Sequence, residues 1–120
     1  MHQPEHQSLP ASMQQCIDNC TECHETCTRT LAYCLEMGGE HVEPAHLKTL
    51  LDCAGACAVS ADFMLRGSDL HPHMCGVCAD ACERCAQSCA QFAGNKQMEA
   101  CAEICRRCAE SCREMAGIKT

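Results

Sequence analysis

Residues 75–89, CGVCADACERCAQSC, place five thiols in fifteen residues at alternating steps of three and four. The same steps recur in CIDNCTECHETC (16–27), LDCAGAC (51–57) and CAEICRRCAESC (101–112), and Cys34 in YCLEM (33–37) completes a set of sixteen cysteines. Seven pairs lie four apart: Cys16/Cys20, Cys23/Cys27, Cys53/Cys57, Cys78/Cys82, Cys85/Cys89, Cys101/Cys105 and Cys108/Cys112. Four more lie three apart: Cys20/Cys23, Cys75/Cys78, Cys82/Cys85 and Cys105/Cys108. On a helix such neighbours hold their Cβ atoms about 5–6 Å apart. Two sulfurs at that spacing can grip one soft ion, or share it with a facing helix.

Thiolates select Cu(I), Zn²⁺ or iron–sulfur clusters. Charge separates these options, because uncompensated charge in an interior is expensive. Sixteen thiolates around four tetrahedral Zn²⁺ would keep about eight negative charges inside. Cu(I) at about one ion per thiolate leaves roughly none, and it accepts two or three sulfurs where zinc takes four. Cysteines that wrap an iron–sulfur cluster usually sit on loops, often with Pro after the last one. Oxidoreductase CxxC motifs open a helix in a βαβ setting. Neither context is present, so an iron–sulfur or thiol redox protein stands as an alternative behind Cu(I) binding, as does a zinc or heavy-metal buffer. No spacing links Ser60 or Ser88 to a His/Asp partner, and there is no Gly-rich phosphate loop, so the expectation is a binding protein and not an enzyme.

The elements that position these thiols follow from the chain's breakers. Ser12–Met37 runs without Gly or Pro, with Ser12 expected as N-cap. The loop GGEHVEP leads to a helix from Pro44 to Arg66, with Pro44 suited to a first helical turn. GSDLHPH leads to His73–Ala93, and Gly94-Asn95 turns the chain into Lys96–Ala116, closed by Gly117. Short links between helices of roughly 30–39 Å predict antiparallel neighbours. The fold class is all-α: an antiparallel up-down-up-down four-helix bundle spanning residues 12–117, with tails at 1–11 and 118–120.

Each predicted helix carries one unbroken 3/4 stripe. These are Met13, Cys16, Cys20, Cys23, Cys27, Thr30, Cys34, Met37; then His46, Leu50, Cys53, Cys57, Ser60, Met64; then His71, Cys75, Cys78, Cys82, Cys85, Cys89, Phe92; then Met98, Cys101, Cys105, Cys108, Cys112, Met115. Every cysteine falls on a stripe. Val, Ile, Leu and Phe together number only sixteen in 120 residues, too few for an ordinary core, and free Cys buries as a small apolar residue. The predicted core is therefore lined with thiols. Its burial raises thiol pKa values, so the metal-free bundle is expected to fold, and loading to release protons.

The stripe ends carry weaker ligands: Met13, Met64, Met115 and His71 at one end, Met37, His46 and Met98 at the other. His46, in register and beside a loop, is the expected intake ligand, with Met37 and Met98 around it. His71, His73 and Met74 near Cys75 form the competing mouth. His24 reads as a surface residue, and His2 and His6 belong to the N-terminal tail. Tyr33, Phe63 and Phe92 read as packing residues, and the charged residues as outer-face groups. The formal charge of −7 disfavours nucleic acid. No stretch reaches the length of a membrane span, and the N-terminus has no apolar signal-like run. The expected compartment is the cytosol, where thiols stay reduced.

The motifs quoted above resemble those of the bacterial copper storage proteins, and above all their cytosolic branch. That resemblance implies a homotetramer of bundles storing multiple Cu(I) ions and supplied or emptied by a copper chaperone or a small-thiol donor or acceptor. The sequence departs from many relatives in carrying His46 where another Cys is frequent, and in lacking a His cluster in AGNKQME.

Overall fold

The computed structural model describes residues 9–118. Four helices follow one another: α1 (Ala11–Met37), α2 (Pro44–Leu65), α3 (His71–Ala90) and α4 (Lys96–Ala116), with a 3₁₀ turn over Gly39–Val42. Each helix packs on its neighbours in chain order and α4 closes on α1. Cross-helix sulfur contacts give the polarity. Cys16 meets Cys112 and Cys27 meets Cys101, so α1 and α4 are antiparallel; Cys53 meets Cys82 and Cys57 meets Cys78, so α2 and α3 are too. The up-down-up-down bundle holds as expected.

Four boundaries differ from the sequence expectation, the smallest being α2, which ends at Leu65 with Arg66 as its cap. α1 begins at Ala11, with the Pro10 carbonyl accepting from Gln14 N–H, so Ser12 lies inside the first turn and caps nothing. α3 begins at His71, two residues early, because Pro72 falls in the first turn, where a missing N–H costs no helical bond. It also stops at Ala90, after which Gln91 and Phe92 N–H groups turn back onto Ser88 and Cys89 carbonyls. That tighter turn swings the Phe92 ring inward.

Other ends match their residues. Asn95 accepts from Met98 N–H as N-cap of α4 and donates to the Tyr33 hydroxyl oxygen at 2.9 Å, fastening the α3–α4 turn to α1. Gly38, at φ 70°, supplies the left-handed residue that ends α1, its N–H bonding the Cys34 carbonyl.

All sixteen cysteines are 0 % exposed. Leu50, Met64 and Met98 are the bulkiest fully buried side chains, so sulfur does fill the place of Leu and Ile. Small residues make this possible. Ala79 and Ala86 on α3, and Ala102 and Ala109 on α4, are buried beside the cysteine stripes on the pair of helices that packs most extensively. No buried side-chain nitrogen or oxygen among the described residues lacks a partner. Asn19 donates to Ser111, and Thr30 accepts from Gln97.

Candidate metal centre

Regular helices and one-sided stripes together produce a continuous column of sulfur. Starting from the end where α1 begins, Cys16 lies 3.7 Å from Cys112, which lies 3.6 Å from Cys20. Cys20 reaches Cys108 at 3.6 Å, and Cys108 reaches Cys57 at 3.7 Å. Cys57 contacts Cys78 and Cys82 at 3.6 Å, and Cys82 leads to Cys53 at 3.5 Å and on to Cys23 at 3.6 Å. Cys105 takes the path to Cys27 at 3.7 Å, which meets Cys101 at 3.9 Å and Cys85 at 4.0 Å. All sixteen thiols are free.

Five groups of four sulfurs have every member within 4.8 Å of the others: Cys20/Cys78/Cys108/Cys112, Cys57/Cys78/Cys82/Cys108, Cys23/Cys53/Cys57/Cys82, Cys23/Cys27/Cys53/Cys105 and Cys27/Cys85/Cys101/Cys105. A metal–thiolate bond of about 2.3 Å puts sulfurs sharing one ion roughly 3.8–4.6 Å apart, from tetrahedral to linear. The column is pre-spaced for that. Each quartet shares at least one cysteine with another, so the sites cannot all be closed, independent tetrahedra. Shared sulfurs suit bridging thiolates between many ions of low coordination number.

Electrostatics in the column is set by thiol–thiol hydrogen bonds and burial. Hydrogen bonding to Cys108 leads in holding Cys20 down, and likewise leads in pushing Cys57 up. One sulfur of each contact keeps the proton and its neighbour accepts it. At the far end Cys34 has no thiol neighbour in hydrogen-bond contact. Burial, helped by Cys101 and Cys85, pushes it up to about 11.

Cys34 anchors a mixed group at the end where α1 stops. Its sulfur lies 3.4 Å from His46 Nε2, 3.6 Å from His41 Nδ1 and 3.8 Å from Met98 Sδ. His46 is 5 % exposed and Met98 is fully buried. Burial pulls His46 below its ordinary pKa, which keeps the imidazole neutral and able to ligate. Ser88 Oγ, 2.6 Å from His46 Nδ1, occupies the other ring nitrogen. The Phe92 ring stacks beside both imidazoles, at 4.3 Å from His41 and 4.9 Å from His46. A surface cavity of about 540 Å³, lined by His46, Ser88 and Phe92 among others, opens onto this group.

One expectation about this end needs correction, and one residue of the group was missed. Met37, the last residue of α1, is 54 % exposed, whereas its stripe from Cys16 to Cys34 is buried. The 3/4 alternation runs one step past the core. His41 takes the place next to Cys34, yet it lies on the 3₁₀ turn, where helical periodicity carries no signal. The two glycines before it were the only local clue, since they let the turn fold back over the end of α1. His24 is half-buried instead of superficial, its Nδ1 3.0 Å from the Ala54 carbonyl oxygen. His73 is exposed. His2 and His6 lie outside the described residues.

Fold and site define a cysteine-cored helical bundle built for soft metal ions. The profile of the copper storage protein family matches residues 9–117, and the chain belongs to that family. A protein from Nitrosospira multiformis has a similar structure, with 49 % identity, a TM-score of 0.84, and coverage of 90 % of this chain and 97 % of that one. The Cu(I)-bound copper storage protein BsCsp3, from Bacillus subtilis, shares 32 % identity at a TM-score of 0.82, over 88 % of this chain and 98 % of its own. A cytosolic copper storage protein from Streptomyces lividans, with five coppers, shares 28 % identity at 0.79, over 91 % and 95 %.

Proposed function

We propose that this protein stores Cu(I) in the cytosol, holding about one ion per cysteine along the bundle axis. The observation that carries this is the unbroken column of buried, free, mutually shared thiols. The sixteen cysteines are the storage ligands. Cys34, His46, Met98 and His41 form the group through which ions pass in and out, because imidazole and thioether hold Cu(I) less tightly than thiolate does. Copper arrives from, and leaves to, a chaperone or a small-molecule thiol, each ion displacing thiol protons.

Similarity to the Streptomyces protein supports the cytosolic assignment, and no helix among the described residues is long and apolar enough to cross a membrane. A homotetramer fits the outer surface. Leu51, Val59 and Leu65 on α2 and Val77 on α3 stay exposed, an apolar face of the kind that marks an interface.

One observation favours zinc as a second reading: the quartets have tetrathiolate spacing. Because they overlap, only a few can be filled at once, and the remaining thiols would have no role. Anaerobic titration with Cu(I) against a coloured chelator, after counting thiols, separates the readings. Storage gives a colourless protein retaining about sixteen ions per chain, whereas saturation at three or four divalent ions with no strong Cu(I) retention would overturn it. Light scattering on the same sample gives the subunit number, four if the tetramer is right.

A further inference from the structure

The sulfur column has a second end. Cys75 Sγ lies 3.3 Å from Ser60 Oγ and 3.9 Å from His71 Nδ1, and its thiol also engages those of Cys112 and Cys16. Cys16 and Cys112 are in turn the first contact of the column. Cys75 belongs to none of the closed sulfur quartets. His71 is half-buried and lines a surface cavity of about 420 Å³ together with Met13, Leu9, Pro10 and Pro72. Met64 is fully buried and Met115 half-buried against the core, near the C-terminal ends of α2 and α4 that meet at this pole. From outside to inside, the order of groups is solvent cavity, imidazole and thioether, single thiol, thiol column. The Cys34 pole has the same order.

The geometry points to a second port: His71 and Cys75, with the surrounding thioethers, form a Cu(I) exchange site at the pole opposite Cys34. This rests on the storage reading and deepens it. A column loaded from one end is single-file, so the last ion in is the first out. Two ports let ions enter at one pole while others leave at the other. The cavity has the size of a small-molecule site, which fits a Cu(I) complex of a small thiol as the donor. In the exchange, the donor's copper–sulfur bond breaks and a bond to Cys75 Sγ forms. The Cys75 proton leaves on the donor's sulfur, and copper stays Cu(I) throughout. His71 takes the ion first, because among the described residues it is the donor that both lines the cavity and touches Cys75.

The test compares the full chain with His71→Ala, His46→Ala, the double variant, and His71→Cys in the His46→Ala background. Cu(I) is delivered as its bicinchoninate complex, and loading is followed under anaerobic stopped flow. Each single variant loads more slowly, the double variant is slower than wild type by about tenfold or more, His71→Cys restores the rate, and final capacity is unchanged in the alanine variants. Equal rates for His46→Ala and the double variant would overturn the second port. A second readout does not depend on rate: Cu(I) added to His46→Ala beyond the capacity of the thiol column shifts the His71 ring resonances, and no shift overturns the site. A wild-type chain that retains only a few ions defeats the storage reading itself, and this is read from capacity alone.

Discussion

At the scale of single residues, the group around Cys34 has the sharpest consequences. His46 is bridged between Ser88 on one nitrogen and Cys34 on the other. Such an outer partner fixes ring orientation and the tautomer that ligates. His46→Ala should slow loading and removal while the number of ions held hardly changes. Ser88→Ala should slow exchange by a smaller factor, up to about tenfold; chelator-competition kinetics reads both, and unchanged rates would remove His46 from the path. The same pair bounds the pH range of the empty protein. Cys34 is raised from 9.0 to about 11, so its contribution to stability is fully present below pH 9 and lost as pH rises through about 11. His46 is lowered from 6.5; its contribution is present above pH 6.5 and fades as pH falls through its folded value. The urea midpoint of reduced, metal-free protein should therefore drop on both sides of that window. Legibility at this scale was uneven. Cys34, His46 and Met98 were readable because they keep helical register into the interior, whereas Met37 keeps the register and misses the interior. His41 reaches the site from a turn, and no period reports a turn.

Among the elements, the helices were legible because Gly and Pro punctuate the chain and the cysteines mark one face of each segment. Boundaries were less so. Whether Pro72 opens α3 or precedes it depends on one turn of backbone, and the early stop at Ala90 goes with a Phe92 ring packed over two imidazoles. The alanine seams were not read in advance, since alanine in a helix-rich sequence signals propensity before it signals contact. They now carry a prediction. Ala109 is 1 % exposed on the tightly packed α4, so Ala109→Leu should cost about 1–3 kcal/mol by overpacking, read as a lower urea midpoint. Removing the α4 cap with Asn95→Ala should cost about 1 kcal/mol, with an added loss from the severed Tyr33 contact. The alanine change should also lower copper capacity if it spreads the α3 and α4 sulfurs, while the cap change should leave capacity intact.

For the molecule as a whole, the binding site and the hydrophobic core are the same object. A zinc finger needs its metal to fold; here the side chains that would hold the ions also fill the core, as small apolar residues do. Far-UV circular dichroism of empty and copper-loaded protein should superimpose, with loading seen only in the ultraviolet charge-transfer region and in raised thermal stability, since binding to the native state alone stabilises it. A large gain of helix on adding Cu(I) would contradict a preformed site. This economy explains why the broad function could be read from spacing: the pattern that folds the chain is the pattern that binds. Subunit assembly follows no such pattern, and only the exposed α2 face hints at it.

Sulfurs held 3.5–4.0 Å apart in reduced form are one short displacement from covalent bonding to each other, and the charged state blocks that displacement by putting an ion between them. The depleted protein is thus the perishable one. Under an oxidant it would turn into a cross-linked block with no vacancies until a reductant reopened it, so its working life is governed by how long it stands idle and unfilled, more than by how often it is used.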